Sequence, residues 1–463
     1  MVFSSITFLY FFLPAVLLTY YIVPGKIKNV VLLLSGLFFY AWGEPVYVLL
    51  MLFSTFVDYS AGLVINKFDS DQKKRTIALI TSLSINLGIL LVFKYSGFVA
   101  GIFGIKVKAL PLPIGISFYT FQSMSYTIDM YMRKIKVQKS FLSYATYVSL
   151  FPQIVAGPIV RYEDVQNEID SRSINIYKLG EGVGIFARGL AKKVLLANNI
   201  GLLWTEIKGM DYSQISVVTA WLGILAFTFQ IYYDFSGYSD MAVGLGKMLG
   251  FNFPENFRHP YISKSVSEFW RRWHITLGSW FKSYVYIPLG GNRCGLLKML
   301  RNTLIVWGLT GLWHGASWNF ILWGLYFGVL IILEKLFLGK ILEKLPSFIT
   351  ILTTFFVVVL GWVLFDTADL SSAFSYYCAM FGKTGLIIDN TAFYQLKSYI
   401  IVFIFCIIGS GKLMKKLSEK LYKNVGMSKL LENGMPLIHT ALILLCTAFL
   451  VDASYNPFLY FRF

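Results

Sequence analysis

Apolar runs near the length that crosses a bilayer core, roughly 17–25 residues, recur along this chain and are separated by short basic clusters. Ile6 to Val23, Val30 to Trp42, Tyr47 to Ile65, Ile77 to Phe93 and Leu112 to Met132 are the first five. Val217 to Tyr233, Phe320 to Leu333, Phe348 to Phe365, Tyr399 to Ile408 and Leu437 to Val451 read as further spans or parts of spans. The pattern predicts an all-α, polytopic membrane protein of about ten to twelve transmembrane or re-entrant helices. The longest polar interval, Gly409 to Pro436, is shorter than the ~40 residues an independent core needs, so 1–463 reads as one integral membrane domain. Residues 437–463 then form its last span and an aromatic tail.

Polar positions inside these runs say which helices face protein. Gln122, Ser123, Ser125, Thr127 and Asp129 crowd the fifth run. Unsatisfied polar groups in hydrocarbon cost several kcal/mol, by rough estimate, so this helix belongs inside the bundle. Pro152, Gly157 and Pro158 predict a broken or re-entrant element, and the charged segment Glu163 to Lys178 an amphipathic surface piece. Asp234 and Asp240 sit in apolar sequence, where each needs an internal partner or water. Gly182 to Ala187 matches a dinucleotide fingerprint, but with no preceding strand and no βαβ context it is set aside.

Composition narrows the class. Only 14% of residues are charged against 56% hydrophobic, and the mean hydropathy is +0.63. A formal charge of +17 would suggest nucleic acid in a soluble protein. Here the cations cluster between spans, as expected of cytoplasmic loops, and no nucleic-acid partner is expected. With the loops at Lys26/Lys28 and Lys73–Arg75 cytoplasmic, the N-terminus and the Gly43-Glu44-Pro45 turn lie outside. The first apolar run reads as a retained span rather than a cleaved signal. Cys294, Cys378, Cys406 and Cys446 are scattered without metal or disulfide spacing, so neither a metal nor a permanently bound cofactor is expected.

The chemistry concentrates in residues 251–328, which hold three of the four histidines, His259, His274 and His314. Read as continuous helix, S-E-F-W-R-R-W-H-I-T-L-G groups Ser267, Trp270, Arg271, His274 and Gly278 on one face. W-G-L-T-G-L-W-H-G-A-S-W-N likewise groups Thr310, Gly311, His314, Ser317 and Trp318. Thr310, Trp313, Ser317 and Asn319 are candidate lining residues. A neutral imidazole can take a proton from a hydroxyl and return it to a leaving group. Gly311, Gly315 and Thr310 thin the helix around His314 and would admit a substrate. His439, alone on an apolar helix, reads as a satisfied core residue, and there is no nucleophile elbow, zincin motif or Walker loop.

F-S-S-I-T-F-L-Y-F-F-L-P, F-Y-A-W-G-E-P, G-I-S-F-Y-T-F-Q-S-M-S-Y-T-I-D, Q-I-V-A-G-P-I-V-R, F-W-R-R-W-H, Y-I-P-L-G-G-N-R and G-L-W-H-G, in that order, together resemble the membrane-bound O-acyltransferase family in its bacterial alginate O-acetyltransferase branch. The resemblance implies a helical bundle around a central funnel or tunnel, where a cytoplasmic acyl thioester, acetyl-CoA, meets an acceptor hydroxyl. It carries the family's essential histidine onto His314 and the branch's second histidine onto His274, as an orienting or polarising group or a structural one. Arg271, Arg272, Lys282 and Arg293 are candidates for the donor's phosphates or a partner's acidic face, or are topology charges. The tail F-L-Y-F-R-F resembles that of a small peptide in D-alanylation systems, making Tyr460 either an acyl relay or an interfacial anchor.

The activity implied is O-acetylation of an extracytoplasmic polysaccharide, such as an alginate-like exopolysaccharide, cellulose or peptidoglycan, from the bacterial cytoplasmic membrane. An SGNH-type extracytoplasmic acetyltransferase is the expected partner. D-alanyl transfer to teichoic acid from a carrier protein, and a transporter or export subunit without chemistry, are the alternatives.

Overall fold

The computed structural model describes residues 1–107, 110–423, 425–452 and 459, apart from the Val425 side chain. Among them every regular element is helical. Among the described residues seven helices are long and apolar enough to cross a membrane: Tyr47–Lys67, Gln72–Ile102, Val217–Met248, Trp318–Leu342, Ser347–Asp366, Asn390–Ser410 and Gly426–Asp452. Phe8–Ile22 is a shorter apolar helix, and the remaining elements are short or more polar.

Contacts divide the chain into two compact units, one holding Met1–Arg188 with Tyr238–Glu255 and the other Gly189–Gly237 with Asn256–Leu459. In the first unit, helices Tyr47–Lys67, Gln72–Ile102 and Ile116–Tyr131 pack together. The polar helix Ile116–Tyr131 is buried over nearly its whole length, as its sequence requires. Gln122 donates to the Tyr147 carbonyl (2.9 Å), and Asp129 pairs with Lys134 (3.5 Å). Asp58, at mid-helix, accepts from Ser82 and from Asn86 (2.8 Å). Residues 151–157 form turns rather than helix, and Tyr162–Asp170 is an amphipathic helix burying Tyr162, Val165 and Ile169. The dinucleotide-like stretch lies within helix Ile176–Ala191, so it cannot form a phosphate loop.

The second unit is built on an aromatic core that includes Trp204, Tyr261, Trp273, Trp323, Phe327 and Trp362. Two boundaries differ from those expected. The helix expected to end at Tyr233 continues to Met248, because Asp234 does not need to surface: Lys193 reaches its carboxylate at 2.5 Å, with both side chains buried. The last helix begins well before Leu437, at Gly426, and runs through Pro436. Asp366, near the end of Ser347–Asp366, accepts from the Trp204 indole (2.6 Å) and Lys208 (2.7 Å), tying that end to helix Asn198–Lys208.

Candidate functional site

Two short helices carry the first histidine. Ser265 caps Val266–Arg272 by accepting from the Glu268 N–H (3.0 Å), the usual role of an N-cap serine. The Glu334 carboxylate, in Trp318–Leu342, accepts from the N–H groups of Val266 (2.5 Å) and Ser267 (2.9 Å), where negative charge suits the helix dipole. The helix then stops. Trp273 is extended and His274 is left-handed (φ +46°, ψ +53°) before Ile275–Phe281 begins. Few non-glycine residues adopt that region, and they persist where their surroundings fix them.

Here the fixing group is Asn256. Its carbonyl accepts from the Ile275 N–H (3.0 Å). Its side-chain oxygen takes the Thr276 N–H (3.2 Å) and hydroxyl (3.0 Å) and lies 3.1 Å from His274 Nδ1. Arg258 N–H to the Arg272 carbonyl (2.9 Å) adds a second tie across the turn. The expected continuous helix through F-W-R-R-W-H is therefore broken at its histidine. Ser267, Trp270, Arg271, His274 and Gly278 nonetheless line one cavity, brought together by the bend rather than by helical spacing.

The second histidine ends helix Leu296–His314, and Gly315 is already extended. The helix therefore does not continue to group Ser317 and Trp318 with His314; Ser317 is the N-cap of the following helix. The glycines near His314 serve packing rather than substrate access. A Cβ on Gly311 would lie 2.1 Å from the Phe320 carbonyl oxygen, and one on Gly324 would lie 2.2 Å from that of Trp307. The two helices thus touch main chain to main chain. That contact sets His314 against Trp313, Trp323 and Phe365, with ring centroids 5.0, 5.0 and 5.3 Å away. Trp313 also meets the His274 ring at 5.8 Å, so one indole touches both imidazoles.

Both histidines line the same cavity of about 340 Å³, with Thr310 on its wall. Trp270, Trp307 and Phe281 supply apolar surface, and Arg271, Lys282 and Lys335 supply charge. All three cations are exposed. A neighbouring hollow of about 510 Å³ shares Ser267, Arg271 and Lys335 and adds Lys264. His274 lies between two short helices, outside those long enough to cross a membrane. Burial pushes its imidazole below the ordinary value, which favours the neutral ring. Such a site combines neutral imidazole for proton transfer, a lining of aromatic rings, and cations suited to a polyanionic substrate. Among the described residues no three His, Cys, Asp or Glu side chains converge on a metal position.

Other expected site residues lie elsewhere. Arg272 is committed to Glu268 (2.5 Å) and is not on the cavity wall. Arg293, exposed beyond the Gly290-Gly291 turn, is not either. Trp313 is buried between the imidazoles, and Asn319 donates to the Thr367 carbonyl (2.9 Å); with Ser317, neither reaches the cavity. His259 is half-buried in a left-handed turn. His439 is half-buried on a helix that is otherwise mostly exposed, so it is no core residue. Tyr460 lies outside the described residues. Sequence reasoning passed over Asn256, an amide with no local signal, and Lys335, which reads as a loop cation.

Comparison with known proteins agrees with this architecture. The "Probable alginate O-acetylase AlgI" of Pseudomonas aeruginosa is 39% identical, over 82% of this chain and 75% of its own length. The "Peptidoglycan O-acetyltransferase" of Helicobacter pylori is 31% identical, covering 100% of this chain and 98% of its own. The "Teichoic acid D-alanyltransferase" of Streptococcus thermophilus is 28% identical over 49% of this chain and 58% of its own. A family model matches residues 48–365, and the chain belongs to MBOAT, the membrane-bound O-acyltransferase family.

Proposed function

We propose that this O-acyltransferase moves acetyl groups from cytoplasmic acetyl-CoA, across the bacterial cytoplasmic membrane, for O-acetylation of an extracytoplasmic polysaccharide. The observation that carries the reading is that His274 and His314, from separate helices, line one cavity with Arg271, Lys282 and Lys335. In the step proposed, the acceptor hydroxyl oxygen attacks the thioester carbonyl carbon. His314 takes the hydroxyl proton as the C–O bond forms, the C–S bond breaks, and the proton passes to the departing thiolate as coenzyme A leaves. Arg271, Lys282 and Lys335 hold the donor's phosphates by charge-assisted hydrogen bonds. The acetyl group passes to the polymer through an SGNH-type extracytoplasmic acetyltransferase, with Tyr460 as a candidate relay.

The relatives named for alginate and peptidoglycan put an exopolysaccharide or wall glycan first among acceptors. A second reading, D-alanyl transfer from a carrier-protein thioester, draws on the similarity to the teichoic acid enzyme. Membranes carrying the chain and its cognate partner decide between them. Transfer of labelled acetyl from acetyl-CoA, undiminished by D-alanyl carrier protein, is expected. Transfer from the carrier thioester alone would move the assignment to D-alanylation.

A further inference from the structure

His274 has two chemically different edges, and the side chain of Asn256 decides which is which. A main-chain N–H can only donate, so the Asn256 side-chain atom 3.2 Å from the Thr276 nitrogen must be the amide oxygen. The Thr276 hydroxyl, 3.0 Å away, adds a second donor to that oxygen. The same oxygen faces His274 Nδ1 at 3.1 Å. Two lone pairs opposed at that distance repel, so the proton of a neutral ring belongs on Nδ1. The main-chain carbonyl of Asn256 holds the next residue, Ile275, at 3.0 Å, and Phe235 stands edge-on to the imidazole at 4.7 Å. Ring orientation and turn therefore depend on the same asparagine, which is itself buried.

We propose that Asn256 is a positioning residue that holds His274 as its Nδ1–H tautomer, leaving Nε2 as the ring's hydrogen-bond acceptor. This deepens the assignment above and rests on it for its consequence. An accepting Nε2 has nothing to offer a thioester carbonyl or a developing oxyanion, which present only lone pairs. It accepts only from a proton donor, and because the single proton of the reacting hydroxyl goes to His314, that donor is a second O–H or N–H group of the bound acceptor molecule. His274 then orients the nucleophile instead of polarising the donor, and the oxyanion is stabilised by another group. The other titratable or charged groups on the cavity are His314, Tyr286, Arg271, Lys282 and Lys335; of these side-chain types only imidazole ordinarily changes charge between about pH 5 and 8, so the acid limb of the rate profile reports the imidazoles.

The test uses the full chain in lipid bilayers with ¹⁵N-labelled histidine. The four histidines are assigned by single His→Gln variants. At neutral pH the His274 pair is expected to show a protonated Nδ1 and a bare Nε2. Asn256→Asp keeps the acceptor and adds a charge that stabilises the imidazolium, so the acid limb of the transfer rate moves up by about 1 pH unit or more. Asn256→Leu, of similar size without the acceptor, redistributes the tautomers. A wild-type ring protonated on Nε2 overturns the inference. So does a tautomer unchanged in a folded Asn256→Leu; should that variant not fold, the wild-type spectrum and Asn256→Asp decide. An Nδ1–H ring with an unmoved acid limb in Asn256→Asp overturns the part of His274 in the reaction, whereas loss of transfer from acetyl-CoA in the wild type bears on the donor assignment alone.

Discussion

The contact between helices Leu296–His314 and Trp318–Leu342 predicts that one methyl group three residues from His314 abolishes most of the activity while leaving the fold. A Cβ on Gly311 lies 2.1 Å from the Phe320 carbonyl oxygen, whereas ordinary contact begins at 3.4 Å. The obstacle is main chain, so no rotamer relieves it, and the helices must part by about 1.3 Å, the difference of those two distances. Overpacking of this kind costs about 1–3 kcal/mol, and alanine recovers about 1 kcal/mol over glycine in a helix. The net loss is thus roughly 0–2 kcal/mol, which a folded protein survives. A displacement on the order of 1 Å at a reacting group, however, costs about a hundredfold in rate. Gly308→Ala is the control, since its Cβ meets only a Leu325 methyl at 3.9 Å. Thermal midpoints from tryptophan fluorescence and initial rates of labelled acetyl transfer are measured at matched expression. Gly311→Ala is expected to shift the midpoint modestly and slow transfer about a hundredfold, with Gly308→Ala like the wild type in rate. A Gly311→Ala rate within a few-fold of the wild type refutes the claim that this crossing places His314.

Three further outcomes follow from the same geometry. Lys193→Met strands the buried Asp234 carboxylate and costs about 3–5 kcal/mol, while the Lys193→Met/Asp234→Leu double variant recovers most of it; denaturation midpoints of the two compare them. Because burial holds His274 below its ordinary value of 6.5, the unfolded chain takes up the proton first. Its contribution to stability is complete above about pH 6.5 and is lost as the pH falls below that. The thermal midpoint therefore drops between about pH 7 and pH 5, and His274→Gln flattens that drop. Arg271→Ala raises the KM for the thioester donor about tenfold, the loss of one charge-assisted contact; Arg272→Ala leaves KM alone and lowers stability, since its guanidinium serves Glu268.

Much of this was legible because the membrane is a strict solvent. Run length located the helices long enough to cross a membrane, and the cost of bare polar groups in hydrocarbon marked Ile116–Tyr131 as an interior helix. The same cost demanded a partner for Asp234, but not which one, since Lys193 stands far off in sequence. It also hid the length of Val217–Met248, because a neutralised aspartate no longer marks the end of a span. The histidine-bearing stretch was legible as a place for chemistry, but its bend was not: no glycine or proline sits at W-R-R-W-H, and the left-handed His274 is imposed by Asn256. Gly311 shows the opposite failure. Its smallness was plain in the sequence, yet what it makes room for is a carbonyl of the next helix.

Transfer of labelled acetyl from acetyl-CoA, in membranes carrying the chain with its cognate partner and acceptor, compared between the wild type and His314→Ala at matched expression, tests the central claim most directly. General-base catalysis contributes about 10²–10⁴-fold, so a loss of at least about a hundredfold is predicted. Near-normal transfer by His314→Ala would contradict the account and remove His314 from the reaction.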